Sequence, residues 1–353
     1  MDVVLGVDAH KRTHTLVAVD GAGRKLAEKT VPTTTVAHQA AIRWARQRFG
    51  TELVWAVEDC RSLTARLERD LLGAGHTVVR VPPHLMARTR SSARERGKSD
   101  GIDALAVARA FLREPDLPVA YHDPTSMQLR VLVDRRDDLV VQRTGTINRL
   151  LVRIHHLDPG HHTPRNWVVK KARAEVAAWL ASEEGLIAEL ARDELGDIER
   201  LFHDVQILDR RIGERIRVAA PALLDLHGCG ELTAARIVAE VARVERFKSE
   251  AAFARYVGLA PIPHTSGTSN VRLLPTRQGN RQLNKAIHRI ALTQINRGGP
   301  GKDYFQRRLD EGDNRHRALR SLKRRLARVV YTRLHTDQAD DAPTRLQTAS
   351  TST

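Results

Sequence analysis

The stretch that most restricts the fold is VVLGVDA, residues 3–9. A run that is apolar at nearly every position, rather than at alternate ones, is what a strand covered on both faces requires. Asp8 lies inside this run. An unpaired acid in such surroundings is costly, so it needs a positive partner.

The segments that follow alternate in character. HTLVAVD, the turn Gly21–Gly23 and KLAEKTVP continue the first strand as an antiparallel meander. AHQAAIRWARQRF has a helical pattern, ELVWAVEDC reads as another buried strand, and SLTARLERDLL is a helix ended by Gly73–Gly75. HTVVRVPP is a last strand stopped by two prolines, and ALAVARAF belongs to a closing helix. The order β-β-β-α-β-α-β-α is that of the α/β ribonuclease H-like fold, expected over residues 1–125.

From Met127 the pattern changes to long helices. Val133, Val140, Ile147 and Ile154 recur every seventh residue, with Leu129, Leu150 and Leu157 at the companion positions and Arg136 and Arg143 interrupting them. A second phase has Ile198, Val205 and Ile212 with Leu201 and Leu208. Heptads of this kind predict a helical coiled-coil segment over residues 126–220, folded as an antiparallel hairpin, used for dimerisation, or both. Residues 221–335 read as a mainly α domain of short helices and glycine-rich loops. The polar tail 336–353 has the composition of a disordered segment.

Lysine and arginine number 58 against 42 acids, for a net charge of +16. That balance argues for a polyanionic partner. With aromatics at 4%, contact with phosphates fits better than stacking on bases. Two cysteines, Cys60 and Cys229, cannot make a disulfide framework and suit a reducing compartment. Nothing resembles a signal peptide or a membrane span, so a cytoplasmic protein is expected.

The sequence RERGKSDGIDALAVARAF places Asp100 and Asp103 three residues apart on one helix face. Asp8 and the Glu58–Asp59 pair come from strands that neighbour each other in this fold. Neighbours along a strand face opposite ways, so Glu58 and Asp59 cannot both point inward. Converging carboxylates repel unless neutralised. Divalent metal, Mg²⁺ or Mn²⁺ in its place, supplies that charge and leaves positions open for phosphate oxygens. The competing reading makes Asp100 a helix cap and Asp103 a first-turn acid. His10 and Lys11 stand next to Asp8, and the basic run with Arg94, Arg96 and Lys98 leads to Asp100. These are candidate phosphate contacts.

A second constellation lies downstream. LHGCGELTAARIVAEV reads as helix, glycine turn, helix, a helix-hairpin-helix-like element in which Gly228 and Gly230 let a phosphate approach backbone amides. Ser266 follows in a loop bounded by proline and glycine, with Arg272, Arg277, Asn280 and Arg281 beyond it. An exposed hydroxyl among phosphate binders could be a nucleophile, although most loop serines make turns. The histidines of HHLDPGHH (155–162) lack the spacing of a zinc site and read as loop residues.

Taken together, GVDAHK, VEDC, RVPPHLMAR…RGKSDGIDALAVARA, GCGELTAARIVAEV and GLAPIPHTSGTS…RQGNRQL resemble the DEDD-type (RuvC-like) transposases of bridge-RNA-guided insertion sequences, related to the Piv DNA invertases. The resemblance spans all but the tail. It implies a RuvC-like domain, a helical segment and a C-terminal transposase domain. It also implies that Asp8, Glu58, Asp100 and Asp103 bind metal, and that Ser266 attacks DNA to form a phosphoserine. The implied partners are donor DNA, target DNA and a noncoding bridge RNA whose pairing supplies specificity. A homo-oligomer, dimer or tetramer, is implied as well. Thr265 stands where the family often has a first serine, which keeps Ser269 in reserve, and Gly101 stands where proline is common. The alternative function is a RuvC-like metal-dependent nuclease or junction resolvase that uses water.

Overall fold

The computed structural model describes residues 3–59, 61–83, 85–86, 89, 99–114, 117, 119–121, 123–264, 272–275 and 279–339, with backbone alone for 61–62, 261–264 and 272–275. The chain divides into two compact units. One is Met1–His122 with Glu245–Phe247; the other is the rest of the chain.

The first unit is built on a five-stranded sheet. Its strands are β1 (Val3–Ala9), β2 (Thr13–Val19), β3 (Lys25–Pro32), β4 (Leu53–Glu58) and β5 (Thr77–Val81), in the order β3-β2-β1-β4-β5. β1 pairs antiparallel with β2 and parallel with β4, and β4 pairs parallel with β5. This is the mixed ribonuclease H-like sheet expected from the element order.

Every residue of β1 is buried, because both faces are covered. Val3, Leu5 and Val7 join Leu16, Leu53, Trp55 and Val57 in a core that includes Ala41 and Ile42 of α1 (Thr35–Phe49) and Leu67 and Leu71 of α2 (Arg61–Gly73). The opposite core holds Val4, Val17, Ala56 and Val79 with Ala104, Val107, Ala108 and Phe111 of α3 (Asp100–Arg113). Gly6 makes this second contact close. A Cβ there would lie 2.1 Å from the Ala104 carbonyl oxygen and 2.8 Å from Ala108 Cβ. A bare glycine lets the helix backbone rest on the strand.

The second unit is mainly helical. Its two longest helices are α4 (Pro124–Leu157) and α6 (Leu186–Ala219), with α5 (Lys170–Ser182) packed against α6. Arg136 reaches Asp209 at 2.9 Å and Arg153 reaches Glu194 at 2.9 Å. Numbers rise on one helix as they fall on the other, so the pair is an antiparallel hairpin. Ile198, Leu201, Val205, Leu208 and Ile212 are all buried, as the second heptad phase requires. On α4 the pattern is looser: Leu129, Val133, Leu150 and Ile154 are buried but Val140 and Ile147 only partly. Arg143 is tolerated there because its guanidinium lies over the Phe202 ring at 4.1 Å, with Arg173 of α5 against the same ring at 4.1 Å.

The remaining elements are α7 (Pro221–Leu224), α8 (Glu231–Val241), α9 (Glu250–Val257), the hairpin β6 (Pro261–His264) and β7 (Arg272–Pro275), α10 (Arg281–Arg297), α11 (Pro300–Asp310) and α12 (Arg315–Ala339). α12 runs four residues into the stretch expected to be disordered. The reason is bonding that composition does not reveal. Asp337 accepts the amides of Ala222 and Leu223 at 2.6 and 3.0 Å, and Gln338 accepts the Val244 amide at 2.7 Å.

Candidate functional site

Alternation along β1 puts Asp8 on the face of Val4 and Gly6, beneath α3. Glu58 continues the alternation of Val54 and Ala56, which pack on that same face, whereas Leu53, Trp55 and Val57 pack on the other. Register brings the two acids close, since Val7 pairs with Val57 immediately before them. Strand geometry therefore puts Glu58, the residue that the family resemblance implies, on the face of Asp8.

α3 delivers the other two acids. Its N-cap is Ser99, whose hydroxyl accepts the Ile102 amide at 3.3 Å. Asp100 is thus released from the capping role it could have had and is exposed, while Asp103, one turn on, is buried at 8% exposure. Both stand at the positive end of the helix, where negative charge is favoured.

Between these carboxylates sits His10. Its Nε2 is 3.0 Å from Asp8 Oδ2 and 3.2 Å from Asp100 Oδ1. The charge of Asp8 is the main cause that raises the His10 pKa; burial opposes it, and the charge of Asp100 and the hydrogen bonds to both acids add to it. Burial pushes the Asp8 carboxyl up from its ordinary value; His10 opposes this, and the charges of Asp103 and Asp100 add to it. Asp8 is 5% exposed, and apart from the His10 ring no donor among the described residues reaches its buried Oδ2. Ligand atoms of Asp8, His10 and Asp100 all lie within 4.8 Å of one another. A buried carboxylate oxygen short of donors, beside a second carboxylate and an imidazole, fits a divalent cation. In the sequence His10 is a candidate phosphate contact only. Its partnership with two acids on different elements has no signature in local spacing.

The nucleic-acid candidates are dispersed. Lys11 is exposed beside the acids. Arg94, Arg96, Lys98, Ser266, Ser269 and Arg277 lie outside the described residues, and of Arg272 the backbone is described, in β7. Gly228 has φ +86°, and a Cβ on it would come 3.1 Å from the Ile290 carbonyl of α10, so its bareness already serves packing. Gly230 is the N-cap of α8 with open space about it. The helix before this turn is a single four-residue turn, α7. Asn280 is held within the protein. Its Oδ1 caps α10 by accepting the amides of Gln282 and Leu283, and its Nδ2 donates to Glu240 at 2.5 Å. Arg281 follows it, exposed. His161 stacks on Trp179 with centroids 3.7 Å apart, and the described histidines of that loop form no metal cluster. Burial drives the Cys229 thiol up to about 12, which makes it unreactive.

A sheet in this order with acids gathered where β1 ends and α3 begins defines a ribonuclease H-like protein with an acidic centre. Two family models match the chain: residues 5–158 fit the DEDD transposase model of IS110, and residues 220–306 fit the model described as transposase IS116/IS110/IS902 family. The chain belongs to the IS110/IS116 family of transposases. It is 28% identical to the insertion element IS116 uncharacterized 44.8 kDa protein of Streptomyces clavuligerus, over 98% of each chain. It is 26% identical to the transposase for insertion sequence element IS1111A of Coxiella burnetii, over 94% of this chain and 89% of that one. Among solved structures, Thermus thermophilus RuvC in complex with a Holliday junction substrate matches 34% of this chain and 100% of its own, at 18% identity and a TM-score of 0.28. No helix among the described residues is long and apolar enough to cross a membrane.

Proposed function

We propose that the protein cuts and rejoins the donor and target DNA of an insertion sequence, with Ser266 as nucleophile and an acidic centre of Asp8, Glu58, Asp100 and Asp103 that holds Mg²⁺ or Mn²⁺. The observation that carries the reading is the convergence of Asp8 and Asp100 on one point from two elements, with Asp8 buried and short of donors. Ser266 Oγ gives up its proton as it attacks phosphorus and its bond to phosphorus forms, and the bond to the leaving sugar oxygen breaks as that oxygen takes up a proton, so one proton is lost and one gained. The serine ester conserves the phosphodiester energy, so a second strand's hydroxyl rejoins the chain by the reverse attack. An ion held by these acids would supply positive charge for the phosphate oxygens. The arginines around the loop, Arg272, Arg277 and Arg281, add further charge to the developing phosphorane. A noncoding bridge RNA that pairs with both DNAs supplies the sequence choice, and the protein works as a cytoplasmic homo-oligomer. Kinship with the Piv invertases belongs to the same reading.

The test is a denaturing gel of protein, flank-encoded RNA, donor, target and Mg²⁺. A protein–DNA adduct lost in both Ser266→Ala and Asp103→Ala proteins supports the proposal. Cleaved DNA without an adduct, with Ser266→Ala still active, makes the protein a hydrolytic nuclease instead.

A further inference from the structure

The acidic centre and the serine loop leave a third feature unused, a basic surface on α11 and α12. Nine arginines lie there and are held in different ways; Arg315, 5.9 Å over the Phe305 ring, and Arg320 are exposed with no acid partner among the described residues. Arg308 and Arg317 are held by Asp313, at 2.5 and 2.9 Å, and Arg324 is paired with Glu250. Arg307, Arg325 and Arg328 are exposed and form no ion pair with an acid among the described residues.

Two of these three are nevertheless held in place. The Tyr304 ring carries the Arg307 guanidinium at 5.3 Å and the Arg325 guanidinium at 5.1 Å. A guanidinium on a ring face keeps its N–H edge available, because the contact uses the plane of the group and not its donors. Two like charges brought to one ring repel, which an anion between them would relieve. Arg328 stands three residues beyond Arg325, one turn along the same face of α12. The opposite face, with Leu322, Leu326, Val330 and Leu334, is buried.

We infer that Arg307, Arg325 and Arg328, ordered by Tyr304, form a binding surface for consecutive phosphates of a nucleic-acid backbone. Forked donors from three guanidiniums suit phosphodiester oxygens and read no sequence. The acid-paired arginines beside them hold the helices, so this surface is separate from the protein's general positive charge. The inference rests on the transposase reading only in naming a nucleic acid as partner. Binding measured without divalent metal, in Ser266→Ala and Asp8→Asn backgrounds, does not depend on the chemistry of cutting.

The test is the salt dependence of binding by the full chain to a random-sequence duplex DNA and to a single-stranded RNA of equal length. Removing all three contacts with Arg307→Gln, Arg325→Gln and Arg328→Gln should lower the log–log slope by about 2 to 3, at about 0.9 per contact on duplex or about 0.7 on a single strand. The matched set Arg308→Gln, Arg317→Gln and Arg324→Gln should lower it by less than about 1. Lysines at the three free positions should restore the slope, which separates lost contacts from lost folding. A change confined to the duplex identifies DNA as the partner, and one confined to the single strand identifies RNA. Unchanged slopes on both, or equal losses from the acid-paired set, would overturn the inference.

Discussion

Asp8 carries the strain of the acidic centre. Its carboxyl is buried, and its pKa is raised mainly by that burial. A carboxyl whose pKa is raised on folding favours the native state while protonated, and that contribution disappears as pH rises through the folded-state pKa. Without metal, a charged Asp8 therefore opposes folding. Asp8→Asn should raise the thermal midpoint of the metal-free protein at pH 7 while abolishing DNA cutting. Added Mg²⁺ should raise the midpoint of the parent and leave that of Asp8→Asn nearly unchanged, because an ion that binds only the native site stabilises it. A lower midpoint for Asp8→Asn without metal would mean that Asp8 is stabilised by contacts with no relation to metal. The sequence already suggested Asp8, since an acid inside an apolar run is conspicuous. The residues alone left Glu58 and Asp59 open and the resemblance named Glu58, whereas His10 needed the fold, because residues joined by a tertiary contact leave no pattern in spacing.

The decisive contact between elements is that of α3 with β1. Gly6 lets the helix approach until Asp100 and Asp103 overhang the strand end that holds Asp8. Gly6→Ala puts a methyl group into the Ala104 carbonyl and Ala108, and overpacking of this kind costs about 1–3 kcal/mol. Denaturant unfolding should show that loss, and metal-dependent cutting should fall much further than nucleic-acid binding. Equal losses in both would place the acids' convergence outside the control of this contact. The strands were readable from apolar continuity and the helices from their periodicity. The start of α3 was not, because serine and aspartate both cap helices and only the bond from Ile102 to Ser99 decides between them. The heptads announced two long helices, but not that Arg143 sits over Phe202 from a helix distant in sequence. The end of α12 escaped composition for the same reason, since Asp337 and Gln338 are anchored by residues far earlier in the chain.

For the whole molecule, a net charge of +16 sets the partner class, while pairing decides which charges remain for it. Arginines tied to Asp209, Glu194 or Asp313 support helices, and we infer that Arg307, Arg325 and Arg328 meet phosphates. The acids and Ser266 lie far apart along the chain. We propose that they act in one reaction, in which the serine rather than water breaks the DNA. The most direct test is to run the complete reaction in ¹⁸O-labelled water and measure the label in the phosphate at each joined junction. No label is expected there, because every phosphorus–oxygen bond made would come from Ser266 or from a DNA hydroxyl. Label at the cut phosphates, retained when Ser266 is alanine, would contradict it and assign the acidic centre to hydrolysis.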